Sequence, residues 1–184
     1  MKSNLPKILH PLGGRPVVHH VLDLAHQMNP KEIIVVVSPA LKEISLPFSS
    51  RIVVQHPAQG TGDAVKQALP LITPEGYVLV LYGDTPLIQK ETLEKMVSLS
   101  KTQPEIAIIL LGMRPENPYG YGRLLLNDAG GLEENIEEKD LSLAQKDISL
   151  CNAGIMLVRA DLLEGLLSGL TSDNAAKNTT FQIL

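Results

Sequence analysis

The chain has a single cysteine, no tryptophan, four tyrosines and two phenylalanines. One thiol, Cys151, can close no internal disulfide, which points to a reducing compartment and to a small core residue. No apolar stretch approaches the roughly 20 residues needed to cross a bilayer, and the first 20 residues lack the apolar core of a secretory signal. The expectation is a cytoplasmic protein. No run of Lys or Arg breaks a net charge of −4, so nucleic acid and anionic membrane are excluded as partners and any anion site must be local. Equally missing are a CxxC pair, a GxxxxGK[ST] loop and a Ser/His/Asp order, leaving covalent catalysis without a nucleophile.

What is present fits one domain: 184 residues, 44% of them hydrophobic, suffice for a single full core. Apolar residues at Val17, Val18, Val21, Leu22, Leu24, Ala25 and Met28 predict a helix packed by one face. The segments 32–38 and 50–55 hold continuous β-branched runs, "IIVVV" and "IVV", as in parallel strands covered on both sides. A helix from Asp63, a strand at 77–83, a helix at 91–101 and a strand at 105–112 follow. Strands alternating with helices over 100 residues predict a doubly wound, three-layer α/β sheet. Beyond Pro115, "YGRLLLND", "LEENIEE" and "CNAGIMLVR" are strands with turns between them, predicting a small mixed or antiparallel extension over one side of the site. The segment 160–170 closes with a helix.

In open parallel sheets, ligands sit beyond the carboxyl ends of the strands. Gln55 ends one strand and Asp84 follows another, so both are expected on one crevice; Asp84 could also simply cap its own turn. Beside Gln55, "AQGTGDAV" is a Gly-rich turn entering a helix, suited to a phosphate or a nucleobase edge and equally to an ordinary tight turn. Lys7 is a lone cation on a turn-rich segment. The cluster at 137–140 reads as a solvated face, and "NPYGYGRLLL" as a hairpin. Asn152, an amide within an apolar strand, needs partners if buried. His19 and Asp23, four apart on a helix, lack an evident third metal ligand.

Taken together, "MKSNLPKILHPLGGRP", "QHPAQGTGDAV", "LYGDTPLI", "NPYGYGRLL", "IEEKD" and "CNAGIMLV", in this order and at these intervals, resemble the uridyltransferase domain of bacterial bifunctional N-acetylglucosamine-1-phosphate uridyltransferase/glucosamine-1-phosphate acetyltransferases. The resemblance implies a Rossmann-like nucleotidyltransferase over residues 1–178 that transfers UMP from UTP to N-acetylglucosamine-1-phosphate, giving UDP-N-acetylglucosamine and pyrophosphate. It implies that Asp84 is a Mg²⁺ ligand and that Gln55 reads the uracil edge with the backbone of Gly60 and Thr61, Gly62 completing the turn. Lys7 would face the phosphates, Gly122, Glu137 and Asn152 would hold the sugar phosphate, and Tyr82 and Gly83 would lie nearby. Another sugar-1-phosphate or base, or a remnant that binds sugar nucleotide weakly, are the alternatives.

Members of that family open with a strand and a Gly-rich loop upstream of the position of Met1, and carry a further Asn metal ligand and a β-helical acetyltransferase domain downstream. Here the expected first strand is absent and residues 179–184 diverge. The expectation is a gap in the sheet that lowers stability unless another segment fills it, and slow turnover. Oligomeric state stays open.

Overall fold

The structure, a computed structural model, describes residues 5–128 and 130–168. The expected domain end at 178 and the tail at 179–184 lie outside them. The first segment is a turn Lys7–Leu9 and a small hairpin, β1 (Pro11–Leu12) and β2 (Arg15–Pro16). Then come α1 (Val17–Gln27), β3 (Ile34–Val37), β4 (Arg51–Val54), α2 (Thr61–Ala68), β5 (Tyr77–Val80), α3 (Lys90–Thr102), β6 (Ile108–Met113), β7 (Arg123–Leu126), β8 (Leu132–Ile136), β9 (Cys151–Arg159) and α4 (Ala160–Ser168).

β9 organises the core. Its side chains alternate between faces as strand geometry requires. Ile155 and Leu157 pack with Leu24 of α1 and with Leu93 and Met96 of α3, whereas Met156 and Val158 pack with Val65 of α2 and with Leu163 and Leu167 of α4. Helices thus cover both faces of the sheet, giving the three layers expected. Ile155, Val158 and Cys151 are fully buried, and the thiol is free.

The position of β9 differs from the expectation. "CNAGIMLVR" is not confined to the extension: its second half lies antiparallel between β5 and β6, Leu157 opposing both Leu79 and Ile109. The physical reason is its unbroken apolar run, which can be buried only where both faces are covered. Its first half meets β7, which pairs antiparallel with β8, so the extension grows from the same long strand.

β3 and β4 pair parallel in register from Ile34↔Arg51 to Val37↔Val54. Their cover is thinner than the sequence predicts. Val37 is buried, but Ile52 and Val54 are exposed, marking β4 as an edge. Among the described residues, the β3–β4 pair shares no hydrogen-bonded ladder with the five-stranded sheet; β3 pairs only β4, and β5 pairs only β9.

Three boundaries also shift. α2 begins at Thr61 rather than at Asp63, because Gly60 at φ 101° makes the turn alone. Pro70 then converts the chain to a tighter helical turn over Leu69–Leu71. β5 stops at Val80, so Asp84 lies four residues beyond the strand, in a turn closed by Thr85, whose N–H and hydroxyl both donate to the Tyr82 carbonyl at 3.2 and 2.8 Å. No helix among the described residues is long and apolar enough to cross a membrane.

Candidate active site

The two elements that bring Lys7 to Asp84 touch through their smallest parts. Gly83 leaves room for Ile8 and Val18, whose methyl groups stand 3.5 and 3.6 Å from where a Cβ would be. The turn Lys7–Leu9 therefore lies against the turn after β5, and Lys7 Nζ donates to Asp84 Oδ2 at 2.6 Å. The carboxylate is paired but not sealed, its side chain 31% exposed and that of the lysine 62%.

Gln55 follows β4, its N–H donating to Val37 O. Its side-chain amide donates to Gly60 O at 3.0 Å and to Asp63 Oδ2 at 2.7 Å. Both partners are pure acceptors, so the NH₂ must face them and the carbonyl oxygen must point away. The amide orientation is thereby fixed by chemistry, and what Gln55 offers a ligand is an acceptor.

Thr61, the first residue of α2, donates its hydroxyl to Tyr82 OH at 3.1 Å. Tyr82 is two residues before Asp84. Gln55, Gly60, Thr61, Tyr82, Gly83, Asp84 and Lys7 thus form one chain of contacts, although the sequence spreads them over 78 positions, 7 to 84.

Gly122 and Asn152 meet across β7 and β9, where Asn152 N–H donates to Gly122 O at 2.9 Å. Asn152 is half-buried, and its Oδ1 accepts from Gly154 N–H at 2.8 Å, leaving its NH₂ as donor. Glu137 directly follows β8 and precedes the turn Glu138–Asp140. Arg123, next to Gly122 in the chain and opposite Ile136 and Cys151 in the ladders, is 2% exposed. Its Nε donates to Ile148 O at 2.9 Å, its Nη1 to Tyr121 O, and it stands 2.9 Å from Glu138 as a close ion pair.

Asp63, Gly154 and Arg123 were not singled out in the sequence. Arg123 had a signal, a charge entering an apolar strand; Gly154 had one too, a glycine inside a strand. His19 and Asp23 share no metal-type arrangement: His19 Nε2 meets Ser45 O, and Asp23 accepts from Arg15 at 2.7 and 3.3 Å. No group of three His, Cys, Asp or Glu that could hold a metal ion occurs among the described residues. Asp84 alone fits a hard cation only where substrate oxygens complete the shell, which is the usual arrangement for Mg²⁺ bound with phosphates.

Helices on both faces of the strands and polar residues gathered beyond β4 and β5 fit the NTP-transferase class, and the chain belongs to the MobA-like NTP transferase domain family, whose model matches residues 1–148. Over 179 residues it is 42% identical to the bifunctional protein GlmU of Rhodospirillum rubrum and 40% identical to that of Paramagnetospirillum magneticum. These alignments take in 95% of this chain and 40% and 39% of those proteins, so the chain spans about two fifths of the length of the curated relatives it matches. In fold it is similar to a CMP:2-keto-3-deoxy-manno-octonic acid synthetase solved with CTP, with TM-score 0.70, 20% identity, and 95% of this chain and 76% of that one covered. HddC from Yersinia pseudotuberculosis gives TM-score 0.66 at 16% identity, over 100% and 76% of the two chains. The Rossmann-like nucleotidyltransferase fold is common to all of them.

Proposed function

We propose that this chain carries the site that transfers UMP from UTP to N-acetylglucosamine-1-phosphate, giving UDP-N-acetylglucosamine and pyrophosphate. The observation that carries the reading is the unbroken line of contacts from Gln55 through Gly60, Thr61 and Tyr82 to Asp84 and Lys7. A nucleotide laid along it has its base at Gln55 and its phosphates at Asp84. The strong similarity to GlmU proteins supports the choice of substrates.

Each end of the line has chemistry to match. The free carbonyl of Gln55 suits the N3–H donor of uracil and opposes the N3 acceptor of cytosine, so the same amide selects and rejects. Lys7 and Asp84 take opposite charges at the triphosphate. Asp84 would hold Mg²⁺ arriving with the triphosphate, and the ion would neutralise charge that develops on the phosphoryl group. Lys7 Nζ then turns from the carboxylate to the phosphates as a point charge.

The sugar phosphate is itself the nucleophile. One of its phosphate oxygens forms a bond to the α-phosphorus as the bond from that phosphorus to the β-bridging oxygen breaks, and pyrophosphate leaves with the electron pair. The protein positions the reactants rather than forming a covalent intermediate. The Asn152 NH₂ donates to an oxygen of the sugar and the Glu137 carboxylate accepts from a hydroxyl, while Gly122, whose bare face is filled by the Asn135 side-chain oxygen and the Ile136 carbonyl, meets the sugar phosphate through its backbone.

Pyrophosphate release from UTP and N-acetylglucosamine-1-phosphate with Mg²⁺ tests the reading. Release should need both substrates and disappear in Asp84→Asn. Release that is absent, together with no heat on titration of millimolar UTP, overturns it.

A further inference from the structure

β9 is irregular at one place. Opposite β6, Leu110 pairs with Met156 and Gly112 with Asn152, so two steps along β6 span four along β9. The surplus is a bulge around Gly154, a device that re-aims side chains beside functional sites. Gly154 is buried, with φ +78°, a conformation that favours glycine. Its N–H is taken by the Asn152 side chain, which staples the bulge to the residue proposed to meet the sugar.

The bare face of Gly154 is filled by Tyr82. A Cβ there would stand 2.8 Å from Cδ2 and 2.9 Å from Cζ of that ring, and nearer still to Cε2. No side chain fits, so the ring lies against the backbone of β9 only because residue 154 has none. In that place the Tyr82 hydroxyl meets Thr61 at 3.1 Å, at the start of the helix whose preceding turn holds Gln55.

We propose that Gly154 is a positioning residue for the nucleotide end of the site, acting through the Tyr82 ring on Thr61. This rests on the function proposed above. The bulge also ties the nucleotide end to the sugar end, since the same glycine fixes Tyr82 by its bare Cα and Asn152 by its N–H. A side chain at 154 displaces the ring, breaks the hydroxyl contact and frees the first turn of α2.

The test compares native protein, Gly154→Ala, Tyr82→Ala and the double variant. Amide hydrogen exchange at Ala64, whose N–H donates to Gly60 O at 3.1 Å in the first turn of α2, reads the link without ligand, and titrations with UTP and with N-acetylglucosamine-1-phosphate read its consequence. Gly154→Ala should speed exchange about 3- to 10-fold, the worth of one hydrogen bond, and weaken UTP by a similar factor while sugar-phosphate affinity holds. On the Tyr82→Ala background it should add nothing to either readout. Should Gly154→Ala fail to fold, Tyr82→Phe carries the test: it keeps the ring and melting temperature and should show the same exchange and UTP shifts. Unchanged exchange and UTP affinity in Tyr82→Phe, or additive effects in the double variant, overturn the proposal. Exchange that follows Gly154 in a chain that binds no UTP overturns the functional reading and leaves the Gly154–Tyr82–Thr61 link standing.

Discussion

Lys7 and Asp84, 77 positions apart, meet at 2.6 Å on the rim beyond β5. The ammonium occupies one carboxylate oxygen, the place a cation arriving with a triphosphate would claim. Because the pair is largely solvated, its contribution to stability is about 0–1 kcal/mol. Lys7→Met should therefore leave the melting temperature almost unmoved, raise affinity for Mg²⁺ in the presence of UTP and weaken UTP in the absence of Mg²⁺. Paired Mg²⁺ and UTP titrations check this; a variant that weakens both would show that Lys7 orients the carboxylate rather than competing for it.

Arg123 should matter to the fold itself. It is buried and serves two carbonyls and Glu138 at once, so Arg123→Met leaves three acceptors behind. A loss of about 3 kcal/mol is expected, read as a lowered denaturant midpoint at unchanged slope. Arg123→Lys should recover little, since a point ammonium cannot fork across the same partners.

A modest acid dependence follows from the junction of β9 and α4. The side-chain hydrogen bonds from Arg159 to Asp161, at 3.1 and 2.5 Å, and the charge of the guanidinium hold the Asp161 carboxyl below its ordinary value, against a smaller opposing effect of burial. A carboxyl depressed in the folded state stabilises above its unfolded value of about 4 and loses that contribution as pH falls further. Asp161→Asn should lower the melting temperature slightly at pH 7, where the carboxylate contributes, and converge with the native protein in acid, so that its fall below pH 4 is flatter.

Backbone protection should be unequal. Residues 156–158 of β9 are paired on both sides and covered on both faces, whereas β3, among the described residues, is paired only with an exposed edge strand. Amides of β9 should exchange slowest and those of β3 and β4 at least about 10-fold faster. Equal protection would mean that the two halves open as one unit.

The sequence made the layers and the helices legible because apolar periodicity decides both. It placed Gln55 and Asp84 at strand ends for the same reason. It could not show that β9 enters between β5 and β6, since an apolar nine-residue strand suits any doubly covered position, and strand order is settled by contacts between distant segments. The cover on β4 was overestimated because an edge strand and a central one can share a β-branched run. Asp63 passed as a helix-start carboxylate, although its contact with Gln55 fixes which atom the amide presents. Gly154 passed as a strand glycine, because the ring that needs its space comes 72 positions earlier, at Tyr82.

Gln55 and Asp84 are proposed to act on two ends of one nucleotide. Calorimetric titration of UTP and CTP, each with and without Mg²⁺, into native protein, Gln55→Met and Asp84→Asn tests it most directly. A native preference for UTP of about 10-fold is expected, lost in Gln55→Met with the Mg²⁺ enhancement intact, and the reverse pattern in Asp84→Asn. Equal affinity for UTP and CTP in the native chain, or a Mg²⁺ enhancement that survives Asp84→Asn, would contradict it.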